Sequence, residues 1–184
     1  KDPDNDIKSV EDKNADKVVG NILEVDIDAI EINPFQPRTN FNEECHFESI
    51  SSHQMLFYNC NFAKEFRYDS IYNISQFKEC SFLGLATFSG IPYPNSSFLW
   101  FENCHFLKLA DFNNYRLHKF RIEETTFTDN VSFQRTYLDS ICLVRTIFEK
   151  KVWFDDIQIK KIDECDRATI RTIKQELQKT DNKI

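Results

Sequence analysis

From Phe41 to Ile159, bulky apolar residues return at steps of five, with an occasional six, and polar residues fill most of the positions between them. The inward candidates run Phe41, Phe47, Phe57, Phe62, then Phe62, Tyr68, Phe77, Phe82, then Phe82, Phe88, Phe98, Phe101, Phe106. They continue as Phe106, Phe112, Leu117, Ile122, Phe127, then Phe127, Phe133, Leu138, Leu143, Phe148, and end with Phe148, Phe154, Ile159. A helix repeats every ~3.6 residues and a flat strand every ~2, so neither produces this rhythm. Corresponding positions lie 21, 20, 24, 21 and 21 residues apart, the mark of a repeat architecture. Three steps of five and one of six close one turn of chain. Stacking such turns sets each ring about 4.8 Å above its counterpart, the spacing of neighbouring strands.

Two aromatic ladders are therefore expected as the core. One holds Phe62, Phe82, Phe106, Phe127 and Phe148 beneath Phe41; the other holds Tyr68, Phe88, Phe112, Phe133 and Phe154 beneath Phe47. Burying each ring contributes about 1.5–3 kcal/mol relative to exposure. The first turn is imperfect, because the step after Phe47 lands on the small, polar Ser52. The 24-residue interval contains Gly90-Ile-Pro-Tyr-Pro-Asn-Ser-Ser97, a turn-rich insertion predicted to bulge from one corner and to expose Tyr93 as a candidate interaction residue.

The flanks follow other patterns. Residues 1–20 are mostly Asp, Lys, Asn and Glu and predict a disordered acidic leader. In 21–44, Leu23, Val25 and Ile27 alternate with acidic residues, predicting one strand that ends in a turn at Asn33-Pro34. The five-residue rhythm occupies 45–162. Residues 163–184 predict a helix with Asp163 as N-cap and an apolar stripe of Ile170, Ile173 and Leu177, expected to cap the last turn and to offer a homodimer surface. The chain begins at Lys1 rather than Met, and both ends are expected to be cut.

Composition sharpens this picture. The 184 residues include eighteen Phe but only three Gly, and Gly20, Gly84 and Gly90 have no spacing that would cradle a phosphate, which excludes P-loop and Rossmann sites. The net charge of −7 resides in residues 1–44, which hold five basic and twelve acidic side chains; residues 45–184 hold eighteen of each. No membrane segment or signal peptide is present in the sequence, and a cytoplasmic location is expected.

The six cysteines, Cys45, Cys60, Cys80, Cys104, Cys142 and Cys165, contain no zinc-ribbon spacing. Cys60, Cys80 and Cys104 fit one inward column that accepts only a small side chain. His46 and His105 each lie between a Cys and a Phe, so strand alternation turns the imidazoles outward and the thiols inward. His53 and His118 are isolated, and Glu123-Glu124 and Asp155-Asp156 read as solvated corners. No catalytic residue, metal site or cofactor is expected.

The rhythm resembles the pentapeptide-repeat family, whose repeat has a bulky residue at its centre and a small residue two positions earlier. Here Cys45, Cys60, Cys80, Cys104 and Thr125 precede Phe47, Phe62, Phe82, Phe106 and Phe127. The resemblance implies an all-β, right-handed quadrilateral β-helix over 45–162. The stretch from Asp166 to Lys179 is similar to the helix that follows the solenoid in bacterial members. Val18 to Glu44, with Asn33-Pro-Phe-Gln-Pro-Arg38, resembles the start of ParB-type partition proteins. That second resemblance implies nucleotide contact by Gln36 and Arg38 in a CTP-binding fold, but the later Gly-Glu-Arg-Arg stretch and helix-turn-helix of that family are missing. The chain then reads as a fusion of a partition-type leader with a solenoid.

A non-enzymatic scaffold that binds another protein is the expected function. The alternatives are a CTP- or DNA-linked partition role through the leader, and a DNA mimic that occupies a type II topoisomerase. Mimicry requires a strongly acidic outer surface. The neutral balance of 45–184 favours the general scaffold, with no direct nucleic-acid binding by the solenoid.

Overall fold

A computed structural model describes residues 22–24, 37–48, 54–69, 74–90 and 97–163. These residues form an all-β parallel solenoid of about five turns, with no helix among them. Three sheets run along the stack. The first contains Gln54–Tyr58, Ile74–Lys78, Phe98–Glu102, Arg116–Glu123, Tyr137–Val144 and Gln158–Asp163, all parallel. At its edge Ile22–Glu24 adds one antiparallel strand, pairing Leu23 with Leu56. The second sheet runs from Thr39–Phe41 through Cys60–Phe62 to Ile147–Phe148, and the third from Cys45–Glu48 through Phe66–Asp69 to Val152–Trp153.

The register reproduces the intervals read from the sequence: Phe41 pairs with Phe62, Phe62 with Phe82, Phe82 with Phe106, Phe106 with Phe127 and Phe127 with Phe148. Their rings lie face to face, with centroids 5.0, 5.1, 4.4, 4.6 and 5.1 Å apart. The second ladder begins tilted, at 5.9 Å from Phe47 to Tyr68 and 6.4 Å on to Phe88. It then stacks regularly through Phe112, Phe133 and Phe154 at 5.0, 5.1 and 5.4 Å. A third column starts aromatic, with Phe57, Phe77 and Phe101, and turns aliphatic at Ile122 and Leu143. In the last turns, burial within Arg116–Glu123 falls on Leu117, Phe120 and Ile122, and the three-residue gap marks a corner inside the strand. Leu117, Leu138 and Ile159 thereby form a fourth buried row.

Three placements differ from the sequence reading. The stack begins at Thr39, because Thr39–Phe41 pairs with Cys60–Phe62, so residues assigned to the partition-like fragment form part of the first turn. Cys45 does not head the column of Cys60; it pairs with Phe66 in the third sheet, and Thr39 occupies the position above Cys60. Phe98 faces outward, because Leu99 and Phe101 take the inward positions once the insertion has shifted the phase. Ser52 lies outside the described residues.

Two corners recur in left-handed backbone without glycine: Asn59, Glu79, Asn103, Glu124 and Arg145 in one column, and Asn114, Arg135 and Asp156 in another. At Glu and Arg such a φ costs about 1 kcal/mol or more, which the cooperative ladder offsets. Glycine is required at a different corner. A Cβ on Gly84 would stand 2.2 Å from the Lys64 carbonyl oxygen of the turn above.

Gly84→Ala is therefore expected to displace that corner and lower stability by about 2 kcal/mol or more, read as a reduced urea midpoint. The ladder itself predicts a gradient. Phe106→Ala, with a ring on both sides, should cost about 3–5 kcal/mol, whereas Phe148→Ala, half-buried at the end of its ladder, should cost clearly less. Equal losses in chemical denaturation would contradict the ladder as the central source of stability.

Candidate functional site

The small inward column shows why its members are Cys and Thr rather than Ala. Each follows a left-handed corner, and each can donate a hydrogen bond to a backbone carbonyl while filling little volume. The Cys60 thiol donates to the Tyr58 carbonyl at 3.4 Å. Cys80 and Cys104 stand 3.2 Å from the Phe57 and Phe77 carbonyls of the preceding turn. Thr125 donates to Glu123 O at 2.8 Å, and Thr146 to Ile122 O at 3.2 Å. The hydrogen bond with Cys80, together with burial, raises the Cys60 pKa, and burial raises that of Cys104. Burial pushes the Cys45 thiol up to about 11. Cys45, Cys60 and Cys104 are neutral donors at neutral pH, not nucleophiles, whereas at Cys80, against the effect of burial, hydrogen bonds with Cys104 and Cys60 hold the thiol well below its ordinary value.

The histidines face outward and are held by neighbours in the next turn. His46 Nε2 lies 2.8 Å from Asp69, His105 Nε2 2.8 Å from the Thr128 hydroxyl, and His118 Nδ1 3.0 Å from Asp139. Asp139 also meets Lys160 at 2.7 Å, and its carboxyl is held below the usual range by the Lys160 and His118 hydrogen bonds. The His46 pair joins earlier turns, and the His105 and His118 pairs lie on different sides of the stack. Among the described residues no group of three His, Cys, Asp or Glu side chains is arranged to hold a metal ion.

Of the residues singled out from the sequence, Phe62, Phe82, Phe106, Phe127 and Phe148 occupy the first ladder, and Tyr68, Phe88, Phe112, Phe133 and Phe154 the second. Tyr68 satisfies its hydroxyl by a 2.9 Å hydrogen bond with the buried Ser75. Arg38 lies against the solenoid, its Nε donating to Asn59 Oδ1 at 3.0 Å and its Nη1 to Ser81 Oγ at 3.5 Å. Gln36, Tyr93, His53 and the stripe Ile170, Ile173 and Leu177 lie outside the described residues. No described helix is long and apolar enough to cross a membrane.

Sequence reasoning passed over the corner between the second and third sheets. There, Phe82-Leu-Gly-Leu-Ala86 and Phe106-Leu-Lys-Leu-Ala110 occupy equivalent positions in adjacent turns. Leu83 and Leu107 are 36% and 38% exposed, with Leu85 and Leu109 beside them, forming a small apolar ridge; the other exposed large apolar side chain among the described residues, Ile147, stands alone at the end of the second sheet. The signal was present as leucines at corner positions, where the neighbouring turns carry Ala63 and Glu65 or Thr128 and Asn130.

Comparison of the chain with family models, with curated proteins and with solved structures returned no match in any of the three.

The thiol column generates a pH dependence. A thiol exposed on unfolding ionises near its ordinary value of 9.0, whereas the folded values of Cys45, Cys60 and Cys104 are raised. The stabilisation from burying neutral thiols is therefore complete below about pH 9 and declines as pH rises through the folded values. Tyr68, pushed up to about 12 by burial, acts in the same direction at higher pH. The urea midpoint should be flat from about pH 7 to 8.5 and fall above about pH 9. A variant carrying Cys60→Ser and Cys104→Ser keeps the donors and should fall less steeply.

Proposed function

We propose that this chain is a non-enzymatic protein-interaction scaffold, a right-handed quadrilateral pentapeptide-repeat solenoid acting in the cytoplasm. Four inward rows in the later turns, with Leu117, Leu138 and Ile159 as the fourth, support the four-sided repeat. The observation that carries the interaction reading is the leucine corner. The Cys80 and Cys104 thiols and the His46 and His118 imidazoles serve the repeat itself, while Leu83 and Leu107 lie open on a rigid frame. A preformed apolar ridge binds without the entropy cost of ordering itself, so even a small area contributes to affinity. The protein partner would place an apolar side chain between the two leucine pairs.

Surface charge argues against imitation of a nucleic acid. Residues 45–163 hold thirteen basic and fourteen acidic side chains. Many are neutralised in pairs between turns, such as Lys150 with Asp129, Lys160 with Asp139 and Arg145 with Glu124. Such interspersed signs produce little long-range field.

Quantitative affinity capture from cells, comparing wild type with Leu83→Asp/Leu107→Asp, tests this reading. Because both side chains are exposed, the variant should keep its thermal midpoint within a few degrees and lose at least one protein retained by wild type about tenfold or more. Thr128→Asp, one turn further along the same corner, should retain it. Identical capture by wild type and the double variant would overturn the reading.

A further inference from the structure

At the corner between the second and third sheets, the middle position of successive turns is held by Glu43, Lys64, Gly84, Lys108, Asp129 and Lys150. Every member of this row except Gly84 is charged. Neighbouring turns lie about 4.8 Å apart, so opposite signs in successive turns attract and like signs repel. Lys64 accordingly meets Glu43, and Lys150 meets Asp129 at 3.0 Å. Asp129 Oδ1 accepts hydrogen bonds from Lys150 and from the Asn130 amide, and Lys108 acts on Asp129 only as a longer-range charge. Among the described residues Lys108 forms no ion pair. Lys64 and Lys108, both exposed, thus stand on either side of Gly84, where the alternation of sign would call for a carboxylate and the chain supplies bare backbone. No other residue type fits there, because a Cβ would meet the Lys64 carbonyl oxygen. Leu83 and Leu85 flank Gly84, and Leu107 and Leu109 flank Lys108.

We infer, on the reading of this corner as a protein-binding site, that the segment bound there is acidic as well as apolar: a carboxylate of the partner sits over Gly84 between Lys64 and Lys108, and the apolar side chains beside it rest on the leucines. The incoming carboxylate becomes the missing member of the row. An anion above Gly84 lies one turn, about 4.8 Å, from each lysine position, within the reach of both flexible stems. The absence of a side chain at Gly84 lets it approach the backbone, and an ammonium group has three donors, so Lys64 can hold a second carboxylate without releasing Glu43. The nearest acidic side chain of the corner's third row, Glu65, is engaged by Arg67 at 2.7 Å. A basic segment would instead place a third positive charge between two others. Exposed ion pairs are individually weak, so the lysines select among apolar segments, while the leucines supply the contact area.

Selection of a phage-displayed library of random peptides on the full wild-type chain, followed by fluorescence anisotropy with the synthetic peptides, tests the inference. Peptides that fail to bind Leu83→Asp/Leu107→Asp should carry Asp or Glu next to apolar residues. Their affinity should fall about tenfold or more in Lys64→Gln/Lys108→Gln, whose thermal midpoint should stay within a few degrees of wild type because both lysines are exposed. Replacing the peptide carboxylate by its amide should weaken binding to wild type by a similar factor and binding to the lysine variant hardly at all. Added salt should likewise weaken only the wild-type complex with the acidic peptide. Leucine-dependent peptides that lack an acidic residue, or that bind the lysine variant as well as wild type, overturn the inference and leave the corner as a binding site. A selection that returns no leucine-dependent peptide overturns both. Displacement of the peptide by an equal concentration of single-stranded oligonucleotide assigns the lysines to phosphate and also overturns the inference.

Discussion

Parallel pairing at strand spacing makes every side chain in this molecule sit on its own counterpart one turn away, and each column must tolerate stacking upon itself. Phenylalanine meets that condition well. Its ring lies flat on another at 4.4–5.4 Å along the regular parts of both ladders and carries no polar atom to satisfy. Tyrosine meets it only at a cost, since Tyr68 requires Ser75 and the buried Tyr115 hydroxyl has no hydrogen-bond partner. Charges obey the same condition by alternating sign between turns, as in Lys64 with Glu43 and Lys150 with Asp129, each 21 residues apart. Amides obey it by pairing directly, as Asn61 does with Asn40. The abundance of Phe and the 20- to 24-residue spacing thus have one origin.

That origin also explains what could be read from the chain beforehand. Column membership depends on spacing, so Phe62, Phe82, Phe106, Phe127 and Phe148 were legible, as were the outward imidazoles of His46 and His105. Phase was legible only where the spacing was regular. Across the insertion at Gly90–Ser97 spacing alone does not carry the phase, and Leu99 and Phe101 hold the inward positions while Phe98 faces outward. The Cys-x-Phe pattern occurs on two different sheets, so Cys45 and Cys60 looked equivalent although only Cys60 follows a left-handed corner. The corners left only a partial trace: Asn59, Asn103, Asn114 and Asp156 are residue types that accept left-handed backbone, whereas the others are not. Glu79, Glu124 and Arg135 adopt positive φ because the paired strands on either side impose it, against their own preference.

The candidate interaction surface was harder to read for a related reason. Burial inside the stack follows from the repeat, but exposure outside it depends on departures from the repeat, and these are few and irregular. Leu83 and Leu107 depart at a corner where other turns are small or polar. Gly84 departs by placing bare backbone in a row where the other turns carry charge. Neither departure has a motif, and each is meaningful only when neighbouring turns are set side by side.

A stack of like upon like also bears on the chemistry such a molecule can perform. Catalysis requires unlike groups converging on one point, such as a nucleophile, a base and a donor for developing charge. Here convergence within the inward columns brings together groups of similar kind: thiols beneath thiols and rings beneath rings. Where unlike groups do meet, as at His118, Asp139 and Lys160, they do so on an outward face, in hydrogen bonds and an ion pair between successive turns. The fold spends its chemical variety on its own register, and what remains distinctive is shape and apolar surface. Those are the means by which one protein holds another.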